Sequence, residues 1–229
     1  MKYMGSKNRI AKDILPIILQ NRISDEQWYI EPFCGGCNLI DKVAGNRIAS
    51  DINKYLIATY DAIKSGWIPR EDYTEEEYRH VMQNKDENPH LTGYFGFALS
   101  YGGKWFGGWR RDSLGKRNYV KEAYNNMIKQ SQKLKGIIFV SCSYAQILPP
   151  QNSIIYCDPP YKDTTKYNTD FDYDKFYNWC RAMKTLGHEI YVSEYQMPDD
   201  FKCVWQKEIA SSLTKNTGGK VGVEKLFTL

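Results

Sequence analysis

Apolar positions along the chain recur in two rhythms. Short β-branched and aromatic runs read as strands: Trp28-Tyr29-Ile30, Arg47-Ile48-Ala49-Ser50, Ile137 to Ser141, Ser153 to Cys157, Glu189 to Ser193, Cys203 to Glu208 and Glu224 to Thr228. Between them, helical spacing predicts helices over Lys7 to Gln20, Cys37 to Ala44, Asn53 to Lys64, Thr74 to Asn84, Leu91 to Ser100, Tyr119 to Lys135 and Tyr173 to Leu186. Ser6 is placed to cap the first of these, and Pro16 to kink or split it. Strand–helix alternation predicts an α/β fold with a doubly wound sheet. Residues 67–118 break the alternation. They read as a helical and loop insertion in a domain built from residues 1–66 and 119–229.

The strand ends carry the chemistry. Ser153-Ile154-Ile155-Tyr156-Cys157 runs into Asp158-Pro159-Pro160-Tyr161. Two prolines supply no N–H and fix φ, so the turn is stiff and its carbonyls are expected to stay free. An acid, a rigid carbonyl and an aromatic face then share the carboxyl end of a strand, where open α/β sheets bind ligands. After the first strand, Glu31-Pro32-Phe33-Cys34-Gly35-Gly36 forms a glycine turn, and the helix expected from Cys37 would offer free N–H groups. Asp51 lies about twenty residues beyond that strand, the spacing of an acid that reaches ribose hydroxyls.

Residues 101–118 have neither period. They combine Trp105, Phe106 and Trp109 with five cations, Lys104, Arg110, Arg111, Lys116 and Arg117, against one acid, Asp112. Such a loop is expected to face its cations toward solvent or a polyanion. The stretch Ser211 to Lys220 reads as a basic, hydroxyl-rich hairpin tip carrying Lys215, Asn216 and Lys220.

Composition narrows the classes. A hydrophobic share of 42% supports a packed core, and a net charge of +4 permits a polyanionic partner. No apolar stretch follows the polar, basic residues Met1 to Arg9, and the run Ile14 to Leu19 is too short to span a bilayer, so a cytoplasmic location without a membrane partner is expected. Six cysteines in a reducing compartment are expected as free thiols, with Cys142, Cys157, Cys180 and Cys203 in the core. Cys34 and Cys37 form a C-x-x-C with no second ligand pair, which disfavours zinc and leaves a thiol redox pair as one reading.

Taken together, Glu31 to Gly36, Ser50-Asp51-Ile52-Asn53 and Asp158 to Tyr161 resemble, in order and spacing, the AdoMet-dependent N6-adenine DNA methyltransferases, most closely the Dam-like D12 class. The resemblance extends to Tyr3-Met4-Gly5-Ser6-Lys7, Ser143-Tyr144 and Asn216-Thr217-Gly218-Gly219-Lys220, and departs at Cys34 and Cys37. It implies a Rossmann-like methyltransferase sheet, S-adenosyl-L-methionine as cofactor with no metal, and double-stranded DNA as partner of a monomer or weak dimer. It further implies that Tyr3, Lys7, Glu31, Phe33, Gly35, Asp51, Ser143, Tyr144 and Asp158 line the cofactor. Asp158, Pro159, Pro160 and Tyr161 would hold a target base rotated out of the duplex. Lys104, Trp105, Trp109, Arg110, Arg111, Lys116, Arg117, Lys215, Asn216 and Lys220 would contact DNA. An N4-cytosine enzyme shares the pocket logic, and a non-catalytic DNA-binding subunit is the alternative from another class.

Overall fold

The computed structural model describes residues 1–112, 114–161, 171–210 and 221–229. The tip expected at 211–220, with Lys215, Asn216 and Lys220, and the residues 163–169, whose polar sequence predicts a loop, therefore lie outside the described residues. Seven described strands form one sheet: β1 (Tyr29–Glu31), β2 (Arg47–Asp51), β3 (Ile137–Ser141), β4 (Ile154–Cys157), β5 (Glu189–Ser193), β6 (Lys202–Ala210) and β7 (Val221–Thr228). Their order is β3-β2-β1-β4-β5-β7-β6. The first five are parallel, and β7 is antiparallel to both β5 and β6. This is the Rossmann-like, doubly wound α/β fold that the alternation predicts. The strand order reverses between β1 and β4, so the loops after Glu31 and Cys157 open on one crevice.

The six described α-helices are α1 (Ala11–Ile18), α2 (Lys54–Lys64), α3 (Glu75–Gln83), α4 (Pro89–Phe97), α5 (Tyr119–Leu134) and α6 (Tyr173–Thr185). No described helix is long and apolar enough to cross a membrane. Local signals explain most boundaries. The Asn53 side chain caps α2 by accepting from the N–H groups of Tyr55 and Leu56, and Thr74 and Glu77 form a capping box on α3.

Two helix readings are corrected. The first expected helix divides at Ile10, after a 3-10 turn over Lys7–Arg9, while Pro16 sits inside α1. Residues 37–44 make no α-helix, only a 3-10 turn over Ile40–Lys42. Cys37 has φ +52, and the Asp41 N–H reaches the Cys37 carbonyl only at 3.4 Å. The Gln130 side chain from α5 instead donates to the carbonyls of Gly36 (3.0 Å) and Cys37 (3.1 Å). Cys203 is also corrected: it is exposed on the edge strand β6 rather than buried.

The insertion shares the core of the domain. Tyr73, Tyr78, Val81, Tyr94, Phe95 and Phe97 belong to the same buried cluster as Tyr29, Ala49 and Ile154 of the sheet. Helix α4 lies against α2 closely enough that a Cβ at Gly93 would come within 2.1 Å of the Tyr55 carbonyl oxygen and 2.3 Å of Thr59 Oγ1. Gly93→Ala is therefore expected to destabilise the protein by about 1–3 kcal/mol through overpacking, despite the better helix propensity of alanine. A urea-unfolding midpoint no lower than that of the parent would contradict this packing.

Candidate active site at the strand switch point

Asp158 follows β4 at the crevice and keeps 21% of its side chain exposed. Its nearest cation is Lys7, which is buried and whose ammonium lies 3.2 Å from Asp158 Oδ1. Lys7 reaches there because the segment before it is clamped. The Met4 N–H donates to the Gly103 carbonyl at 3.0 Å, and the Tyr3 ring packs on Phe97 with centroids 4.8 Å apart. A Cβ at Gly35, where φ is +43, would come within 2.7 Å of the Tyr3 ring, so glycine is required there. The N-terminal box thus threads between two glycine turns and delivers its lysine to the acid of the third motif.

The Lys7 ammonium has two further partners. It donates to Tyr161 Oη at 2.5 Å and to Glu224 Oε2 at 3.1 Å, with its nitrogen 4.4 Å from the Tyr161 ring centroid. The Tyr161 hydroxyl donates to the same Glu224 oxygen at 2.9 Å. The Tyr195 ring meets Tyr161 edge-on at 4.7 Å. Burial pushes the Asp158 carboxyl up, Lys7 opposes this and Glu224 adds to it, leaving a pKa of about 6. Burial lowers the Lys7 ammonium, but Asp158 and Glu224 more than offset that, so its net shift is upward.

The proline carbonyls divide. Pro160 is not free as expected, since its carbonyl accepts from the Tyr173 hydroxyl at 2.9 Å. No hydrogen bond from a described residue reaches the Pro159 carbonyl.

Across the crevice, Asp51 organises the glycine turn. Its Oδ2 accepts from the Gly35 N–H at 3.1 Å and its Oδ1 from the Asn53 N–H at 2.9 Å. Burial raises its pKa and these backbone donors oppose the rise. The Gly35 carbonyl accepts from the Tyr60 hydroxyl at 2.7 Å. Glu31 is buried, and that burial raises its pKa well above the usual carboxylate range, against a 2.9 Å bond from the Tyr29 hydroxyl. Phe33 stacks on Tyr144 at 5.4 Å and meets Phe171 edge-on at 5.9 Å, forming an aromatic wall. Ser143 caps the short turn that carries Tyr144. Cys34 and Cys37 are buried free thiols, and burial holds the Cys34 thiol well above its ordinary pKa, which works against a reactive thiolate. Among the described residues no group of three or more His, Cys, Asp or Glu side chains gathers to hold a metal.

Of the cations of the basic aromatic loop, only Arg110 departs from the expectation that they face outward, and Arg111 and Arg117 form ion pairs while staying exposed. Arg110 is buried over the Tyr119 ring at 4.1 Å, with Glu122 3.7 Å away. Arg111 pairs with Glu75, and Arg117 makes a bidentate pair with Glu122 at 2.7 and 2.9 Å. Helices α3 and α5 supply these acids, which the loop's own sequence does not contain. Trp105 stacks on Tyr55 at 5.8 Å, and Trp109 packs against Tyr78 at 5.6 Å, so both rings serve the core. Lys104 and Lys116 are exposed.

Glu224 is the residue that sequence reasoning missed. Its only local signal is parity: it shares a strand face with Leu226, and Leu226 pairs with Ser193 at the end of β5.

No curated protein matches the chain. Among solved structures it is similar to SMU.472, a protein proposed to be a methyltransferase, complexed with SAH, at 12% identity and a TM-score of 0.40. That match covers 97% of this chain and 52% of the other, so this chain spans about half the length of that protein. Residues 3–101, which hold the Lys7 box, the glycine turn and Asp51, match the family of D12 class N6 adenine-specific DNA methyltransferases.

Proposed function

We propose that this protein is a site-specific DNA methyltransferase that moves a methyl group from S-adenosyl-L-methionine to the exocyclic N6 of adenine in double-stranded DNA. The observation that carries this reading is the meeting, at the switch point, of the Lys7-paired Asp158 turn with the glycine turn held by Asp51. The match of residues 3–101 to the adenine-specific family supports it.

The donor set fits the cofactor. Each Asp51 oxygen accepts one backbone N–H and retains lone-pair capacity for a ribose hydroxyl. The Phe33–Tyr144 wall offers a surface for a purine ring. Glu31, held toward its neutral form by burial, would regain its charge beside a sulfonium cation. When bound, S-adenosyl-L-methionine supplies an electrophilic methyl group on positively charged sulfur.

The remaining work falls to the Asp158 turn. The amine of adenine is a poor nucleophile because its lone pair is shared with the ring. Asp158 and the Pro159 carbonyl each accept one of its N–H bonds, which turns the lone pair toward the methyl group. With a pKa of about 6, Asp158 is ionised at neutral pH and suited to take the proton the amine sheds. Tyr161 stacks on a base rotated out of the duplex, offsetting an unstacking cost of roughly a few kcal/mol. Residues 67–118 form the target-recognition region, with Lys104 and Lys116 open to phosphates.

Asp158→Ala is expected to cut transfer of tritiated methyl to DNA by about a hundred- to ten-thousand-fold while gel-shift affinity stays near the parent value; full transfer would remove Asp158 from the chemistry. Asp51→Ala should weaken the cofactor by about tenfold or more, the scale of lost hydrogen bonds to a charged group, and calorimetry showing equal affinity would exclude its role. Because Lys7 holds Asp158 down, Lys7→Met should move the Asp158 titration above pH 6 in carboxyl carbon-13 spectra. A titration at or below pH 6 would mean the pair does not form.

A further inference from the structure

Two carboxylates, Asp158 and Glu224, share the single ammonium of Lys7. Glu224 gets there by topology. An antiparallel strand entering a parallel sheet starts where its neighbours end, and β7 brings Glu224 in near the carboxyl end of β5. One Glu224 oxygen then accepts from both the Lys7 ammonium and the Tyr161 hydroxyl.

Lys7 itself stands on the features that a base amine would use. It is a nitrogen donor at Asp158 Oδ1, and it sits at the hydroxyl edge of the Tyr161 ring. A base amine that takes Asp158 Oδ1 must displace the ammonium from it, and an ammonium this deeply buried needs another anion to stay with. Glu224 already holds it at 3.1 Å. The same oxygen fixes the Tyr161 hydroxyl, so the ring keeps its orientation while the lysine shifts.

We propose that Glu224 is a positioning residue of this site: it anchors the Lys7 ammonium and the Tyr161 hydroxyl, so that Asp158 can be handed over to the target base while the Tyr161 ring stays in place. The inference rests on the reading of Asp158 as acceptor of a base amine.

The charge environment gives the proposal a signature. Asp158 is faced by Lys7 before α1, Glu31 of β1, Tyr156 of β4, Tyr161 of its own turn, Tyr195 after β5 and Glu224 of β7. Lys7 favours the Asp158 carboxylate, and Glu224 opposes it. In Glu224→Gln the amide still accepts from Tyr161, but its charge is gone. Lys7 then belongs to Asp158 alone and holds it more tightly. The Asp158 titration should fall below pH 6, the opposite direction to Lys7→Met.

The test uses the full chain as parent, Glu224→Gln and Glu224→Asp, each checked by thermal unfolding. Carboxyl carbon-13 titration is run without ligand, and steady-state methyl transfer with DNA and S-adenosyl-L-methionine. For Glu224→Gln the expected result is an Asp158 titration at lower pH and a KM for DNA raised about tenfold, the scale of one charge-assisted hydrogen bond. Its kcat should fall less than its KM rises, and the acid limb of the rate profile should move to lower pH. Glu224→Asp should recover most of the KM. An unmoved Asp158 titration, or an unchanged KM for DNA in a folded Glu224→Gln, would overturn the proposal. If the parent protein methylates no DNA, the functional reading fails separately; the ligand-free titration still decides whether Glu224 governs Asp158.

Discussion

Burial at the end of a central strand drives a carboxyl group toward its neutral form, and the ion pair between Lys7 and Asp158 opposes that drive here. The two residues are far apart in the chain, so the pair depends on everything that carries Lys7 across the sheet. Gly103 and the Gly35–Gly36 turn leave no room beside Tyr3 and Met4, and that closeness sets the path of the segment before Lys7. Burial alone would push Asp158 toward its neutral, donating form. Lys7 opposes that shift and keeps the group an acceptor above about pH 6.

The same crevice is bounded on its other side by a turn built on backbone rather than charge. Asp51 ties the Gly35 N–H to the start of α2 through Asn53. Beneath the two turns lie separate buried clusters, one including Tyr29, Tyr60 and the insertion aromatics, the other including Ile30, Tyr144 and Phe176. Neighbouring residues of β1 thus feed opposite faces of the sheet, and the site sits where both cores end. The 67–118 region contributes to the first cluster, so it is packed as a part of the domain rather than as a tethered module.

Much of this was legible in the chain. The parallel strands announce themselves because both faces are buried, which makes Ile154-Ile155-Tyr156-Cys157 apolar throughout. Asp51 and Asp158 stand out because they follow such runs immediately. Other features depend on partners distant in sequence. The helix expected after Cys37 is lost to a Gln130 side chain from α5, and Arg110 is buried because Tyr119 and Glu122 wait on that helix. Glu224 looks like any charge in a strand until the antiparallel register of β7 against β5 sets it beside Lys7. Local pattern therefore located the acid of the site but not the network that controls it.

Methylation of adenine in DNA by this crevice, as proposed, would be written into the DNA of a methylation-free host expressing the protein, where a map of modified bases reads it. The expected result is N6-methyladenine confined to one short sequence context, and its loss in the Asp158→Ala strain. Unmodified DNA, or methyl groups found on cytosine N4 alone, would contradict it.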